Sequence, residues 1–227
     1  MKNNEMQNKK TELVFIIDRS GSMYGMEKDT IGGFNTMIEK QKKQEGNCLV
    51  TTVFFNHEVT QIHNRVNLKS MQSLPDSAFE PSGSTALLDA VGMSIQTMIN
   101  VQRYTAPEDR ADRVLFVIIT DGMENSSRRY SWSKVHEMIT AEREKYGWEF
   151  IFLGANIDAP EVAGQLGIRE DLAATYLNDS EGMQTNFEAM ASSVEMFRCC
   201  DTEYARPLEK VREDCAARSK HRKKSRH

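Results

Sequence analysis

The chain has 227 residues, 39% hydrophobic and 27% charged, a globular composition outside the disordered and fibrous classes. Its longest apolar run, Val114 to Ile119, is far short of the eighteen or so residues of a membrane span, so no membrane partner is expected. The net charge of −4 hides an asymmetry: the last ten residues hold six Lys and Arg and no acid, so the preceding 217 carry 23 basic against 33 acidic side chains, a net of −10.

Residues 1–10 are rich in Asn and Lys and predict a flexible N-terminus. The apolar stretch Leu13 to Ile17 is too short for a secretion signal and ends at Asp18, so a cytoplasmic location is expected. Thr11 to Asp18 (TELVFIID) has the pattern of a parallel strand buried on both faces. After a Gly-rich turn, Arg19 to Gly25, the residues Ile31, Phe34 and Ile38 recur at helical spacing with Met37 beside them, and Gly46 follows a Lys-rich end. Cys48 to Phe55 reads as a second strand. Val59 to Val66 alternates without a clean apolar face and predicts a hairpin partner at the sheet edge.

Loop residues cluster from Leu74 to Gly83, and a helix opens after Ser84-Thr85 with Leu88, Val91, Ile95 and Met98 on one face. Val114 to Thr120 is the most apolar strand and is expected to lie centrally. Ser133 is positioned to cap a helix carrying Val135, Met138 and Ile139, stopped near Gly147. Trp148 to Leu153 is the next strand. A short helix near Glu161 to Leu166, a short strand near Ala174 to Leu177 and a helix with Phe187, Met190, Val194 and Phe197 on one face follow. Pro207 opens a further short helix in which Leu208, Val211 and Cys215 share a face. The four cysteines form no CxxC pair, which disfavours both a disulfide scaffold and structural zinc.

This alternation predicts an α/β fold: a doubly wound, mostly parallel sheet with one antiparallel edge strand and helices on both faces. Ligands of such sheets bind at the carboxyl ends of the strands, so the polar residues there carry the functional argument. Three loops stand out: Asp18-Arg19-Ser20-Gly21-Ser22, Pro81 to Thr85, and Thr120-Asp121-Gly122. They supply two carboxylates and several hydroxyls, with no His or Cys. An all-oxygen set suits a hard divalent cation, Mg²⁺ or Mn²⁺, and so few charged ligands leave a position for an outside oxygen. Glu124, Asn125 and Asp89 are candidates for a supporting layer around it.

Asp18, Ser20 and Ser22, with Thr85 in the second loop and Asp121 in the third, resemble the metal-ion-dependent adhesion site (MIDAS) of von Willebrand factor A (vWA) domains. The resemblance runs from Thr11 to Phe197 in element order, and Gly154 to Asp158 is similar to stand-alone cytoplasmic bacterial and phage members. It implies a Rossmann-like fold over residues 11–200, Mg²⁺ or Mn²⁺ at those five positions, capture of an acidic residue of a protein partner, and no catalysis. Residues 201–217 are then a helical extension and 218–227 a basic disordered tail. Nucleic acid is not expected as a partner other than through that tail, and a ring ATPase is a further partner implied by some relatives.

Enzyme readings fare less well. A haloacid-dehalogenase-like phosphatase wants a carboxyl where Ser20 stands. No Gly-x-x-x-x-Gly-Lys-Ser/Thr loop, Gly-x-Gly-x-x-Gly or Gly-x-Ser-x-Gly is present. A Mg²⁺-dependent hydrolase of phosphate esters is the rival reading, with Glu124 as the one candidate base.

Overall fold

The computed structural model describes residues 9–199 and 202–224, with side chains through residue 220. β1 (Thr11–Asp18), β2 (Cys48–Phe55), β4 (Arg113–Thr120) and β5 (Glu149–Ala155) are buried almost throughout, because helices cover the sheet on both sides. Each fully buried Val, Ile or Phe in them contributes about 1.5–3 kcal/mol over an exposed one. With β3 (Val59–Asn67) and β6 (Ala173–Tyr176) they form a six-stranded sheet in the order β3-β2-β1-β4-β5-β6. All pairings are parallel except that of β2 with β3. The expected architecture is the observed one, including the antiparallel edge and the central place of β4. The poor alternation of β3 has a cause: its register against β2 shifts around Thr52, and Arg65 takes a left-handed φ of 49° from which its guanidinium reaches buried Glu12 at 2.8 Å.

The helices are α1 (Glu27–Lys42), α2 (Leu87–Tyr104), α3 (Trp132–Tyr146), α4 (Ala159–Gln165), α5 (Ser180–Arg198) and α6 (Leu208–Lys224). The residues expected to face the core on α1, α2, α3 and α5 are all buried. Helix α1 packs on α5 and α2 on α3, and the right-handed rule for parallel crossovers, applied to a sheet that winds outward in both directions, assigns these pairs to opposite faces.

Two expectations need correction. The cap of α3 is Ser131, whose hydroxyl accepts from the Lys134 amide at 3.2 Å; Ser133 already lies inside the helix, 3.0 Å from the Ser131 hydroxyl. The segment from Arg218 is not disordered as far as it is described: α6 runs unbroken to Lys224, packs on α5 and β6, and buries Leu208 and Val211. The scarcity of apolar residues beyond residue 217 does not prevent order there. A helix already nucleated at residues 208–215 propagates cheaply through Ala216, Ala217, Arg218 and Lys220, all good helix formers, and Arg218 gains ion pairs with Asp179, Glu181 and Asp214. Residues 225–227 lie outside the described residues, as do 1–8 of the expected flexible N-terminus. Lys10 is held in place: its amide donates to Asp112 and its ammonium to Asp109, at 2.8 and 2.9 Å.

Candidate functional site

β1 and β4 are neighbours in register, Ile17 beside Ile119, so Asp18 and Thr120 end side by side. The chain leaves β1 toward β2 on one side and β4 toward β5 on the other, which makes this gap the switch point of the sheet. All three loops singled out in the sequence meet there.

The first loop turns at once. The Asp18 carboxylate accepts from the Ser20 amide at 2.7 Å, a tight Asx-type turn, and residues 21–23 form a single 3₁₀ turn. The Gly21 amide donates to the Gly83 carbonyl at 3.0 Å and the Ser82 amide to the Arg19 carbonyl at 2.9 Å, which laces the first loop to the second. Gly83 needs its left-handed φ of 71° for this approach, and a Cβ there would lie 2.2 Å from the His57 ring. Thr85 is fixed from the third loop by a reciprocal pair: its amide donates to the Asn125 side chain at 2.9 Å, and the Asn125 amide to its carbonyl at 3.0 Å.

The five expected positions converge. The hydroxyls of Ser20 and Ser22 are 3.1 Å apart, and Ser22 donates to the Asp121 carboxylate at 2.5 Å. A Cβ on Gly122 would lie 3.6 Å from the Ser22 hydroxyl and 3.7 Å from that of Thr85, so both face one point beside a residue that takes up no space. Asp18 Oδ2 accepts from Thr120 at 2.7 Å. Adjacent oxygens around an octahedral Mg²⁺, bonded at about 2.1 Å, stand about 3 Å apart, which is the spacing of the Ser20 and Ser22 hydroxyls.

Electrostatics favour the same ion. Asp18 and Asp121 are 0% and 1% exposed, and among the described residues no Lys, Arg or His pairs with either. Burial raises the pKa of Asp18 against the hydrogen bonds from Thr120 and Ser20 that lower it. Burial pushes Asp121 up to about 6, with the charge of Asp18 adding to the rise and hydrogen bonds from Ser22 and Asn178 opposing it. Two buried carboxylates without a counter-charge are costly, and a divalent cation among these oxygens would relieve them. The residues present therefore fit a hard divalent cation.

The supporting residues divide. Glu124 Oε1 accepts from the Ser126 and Ser127 amides and Oε2 from the Leu88 amide and the Ser127 hydroxyl, all within 2.9 Å. Asp89 accepts from the amides of Arg128, Arg129 and Tyr130. Glu124 thus caps the first turn of α2, and both carboxylates pin the loop after β4 that carries Asn125, the partner of Thr85. Thr120, singled out within the third loop but assigned no role there, donates to Asp18, and two contributors escape the sequence reading: Asn156, whose amide donates to the Asp121 carbonyl at 3.2 Å, and Asn178, whose amide donates to Asp121 Oδ2 at 3.0 Å. The Gly154 to Asp158 segment held the signal for Asn156. Of the methionines beside the first loop, Met23 and Met26 are buried, whereas Tyr24 is 82% exposed; Met123, beside Asp121, is 70% exposed.

The sequence matches no family model and no curated protein. Solved structures do resemble the fold. A von Willebrand factor type A protein from Catenulispora acidiphila aligns with 83% of this chain at a TM-score of 0.55 and 15% identity, over 43% of its own length. The vWF domain of the type V pili tip protein Mfa5 from Porphyromonas gingivalis aligns with 84% of this chain and 96% of its own, at a TM-score of 0.59 and 12% identity. Proximal thread matrix protein 1 from the mussel byssus, in a structure with a zinc-occupied MIDAS motif, aligns with 82% of this chain at 0.57 and 11%, over 48% of its own length. The chain thus spans less than half the length of two of these proteins and nearly all of the separate vWF domain. Its fold is the vWA fold.

Proposed function

We propose that the chain is a divalent-metal-dependent binding module that captures an acidic residue of a partner protein, with Asp18, Ser20, Ser22, Thr85 and Asp121 as the metal ligands and Mg²⁺ or Mn²⁺ as the ion. The observation that carries this reading is the meeting of two buried carboxylates without a cationic partner and three hydroxyls at the switch point of the sheet. The zinc-occupied motif of the mussel protein, on the same fold, supports the kind of ion. When bound, the cation supplies a Lewis-acid centre to which a carboxylate from outside can add. The chain's own residues orient the oxygens: Thr120 and the Ser20 amide fix Asp18, Asn125 fixes Thr85, and Gly122 leaves room between the hydroxyls. Exposed Tyr24 and Met123 border the site and offer a partner apolar area.

The rival hydrolase needs a general base, and Glu124, its only candidate, has both oxygens engaged by four donors of its own loop and helix. That favours binding over catalysis. The three described cysteines are free thiols, which suits an intracellular setting, and no helix among the described residues is long and apolar enough to cross a membrane.

Calorimetric titration with Mg²⁺ and Mn²⁺ tests the metal, and a pull-down with and without chelator tests the partner. Saturable binding, with a rise in melting temperature at millimolar metal, is expected; no divalent binding to the wild type would sink the reading. Asp121→Ala should abolish metal-dependent capture yet remain folded by circular dichroism, since this residue at a strand end adds no apolar core.

A further inference from the structure

Asn178 lies in the loop between β6 and α5, 57 residues from Asp121 in sequence, yet its Nδ2 donates to Asp121 Oδ2 at 3.0 Å. The orientation of the amide is fixed by chemistry, because an ionised carboxylate only accepts and the NH₂ must face it. The amide oxygen is thereby turned away, and it is buried with no hydrogen-bond partner. The loop itself is held firmly. Next to Asn178, Asp179 caps α5 by accepting from the Gly182 amide at 2.8 Å and pairs with Arg218 of α6, while the Tyr176 hydroxyl reaches the Thr120 carbonyl at 3.4 Å.

We propose that Asn178 is a sixth functional residue of the site, a positioning residue for Asp121. Its Nδ2 holds Asp121 Oδ2, so that Oδ1, the oxygen shared with Ser22, would be the one left to a cation. The inference rests on the metal reading given above. A hydrogen bond to a charged group is worth about 1.5–3 kcal/mol, which corresponds to roughly a tenfold to hundredfold change in an equilibrium constant.

The test is titration of the full chain with Mg²⁺ alone, comparing wild type, Asn178→Ala, Asn178→Leu and Asp121→Ala, with the melting temperature of each taken in chelator. Asn178→Leu keeps the volume and removes both polar atoms, so it guards against failure of the smaller variant to pack. At least tenfold weaker Mg²⁺ binding by both Asn178 variants, with metal-free melting within a few degrees of wild type, is the expected result. Binding within twofold of wild type in both would overturn the proposal, as would metal-free melting far below wild type with unchanged Mg²⁺ affinity, which marks a residue of the fold alone. A wild type that binds no Mg²⁺ would instead overturn the metal reading itself.

Discussion

At the scale of single residues, Asp121 makes the site answer to pH. Burial pushes its pKa up to about 6 in the metal-free protein, above the ordinary carboxylate value. The folded state therefore holds this proton more tightly than the unfolded chain. The stability so conferred is complete below the unfolded pKa, near 4, and is lost as pH rises through about 6. Metal binding has the opposite sign, because the cation competes with that proton. Mg²⁺ affinity should rise about tenfold per pH unit below pH 6 and level off above it, measured by titration between pH 5 and 8. A flat profile would show that Asp121 does not exchange a proton for the ion. The five proposed ligands were legible in sequence because three sit within five residues of one turn and the other two directly follow strand or loop punctuation. Asn178 was not. It follows a four-residue strand and carries no spacing signal; only the placing of β6 two strands from β4 brings it to Asp121.

At the scale of elements, helix α1 shows how closely its neighbour sits. A Cβ on Gly33 would fall 2.3 Å from the ring of Phe187 in α5, whereas one on Gly32 meets nothing within 4 Å. Both residues are helical, so alanine gains about 1 kcal/mol of helix propensity at either position. For Gly32→Ala that gain stands alone, and a stabilisation of about 0.5–1 kcal/mol is expected. For Gly33→Ala the buried aromatic ring must move, and overpacking of about 1–3 kcal/mol outweighs it. Urea denaturation of the two variants should thus show shifts of opposite sign, and equal stabilisation of both would mean that α1 and α5 do not pack as described. Strands buried on both faces, such as β1 and β4, were the easiest elements to read, since their apolar runs are strand-length, rich in Val, Ile and Phe, and end at turn residues. Element ends were harder: two serines two residues apart compete to cap α3, and the one that wins is decided by where the chain arrives from the loop, not by residue type.

At the scale of the whole molecule, the acidic body and its basic end meet through Arg218. Its guanidinium joins Asp179 and Glu181 at the start of α5 to Asp214 in its own helix, so the first residue of the basic run is an ordered bridge between α5 and α6. This divides the last ten residues into two parts with different consequences. Removing residues 221–227 takes away the end of the run beyond that bridge, and the melting temperature should stay within about a degree of the full chain. Removing residues 218–227, or replacing Arg218 by Ala, strips the cation from three acids. Exposed pairs are worth little, but several acids sharing one half-buried arginine form a network, and a loss of about 1 kcal/mol is expected. For a chain of this size that is about 2–4 °C in melting temperature. The difference between Arg218→Ala and the full chain should shrink in 1 M NaCl, where the screening length falls to about 3 Å. If the chain cut at residue 217 melts with the intact one, the bridge contributes nothing and the helix end is an ornament of the fold; if the chain cut at residue 220 already melts several degrees lower, the charges beyond the bridge are also bound to the body.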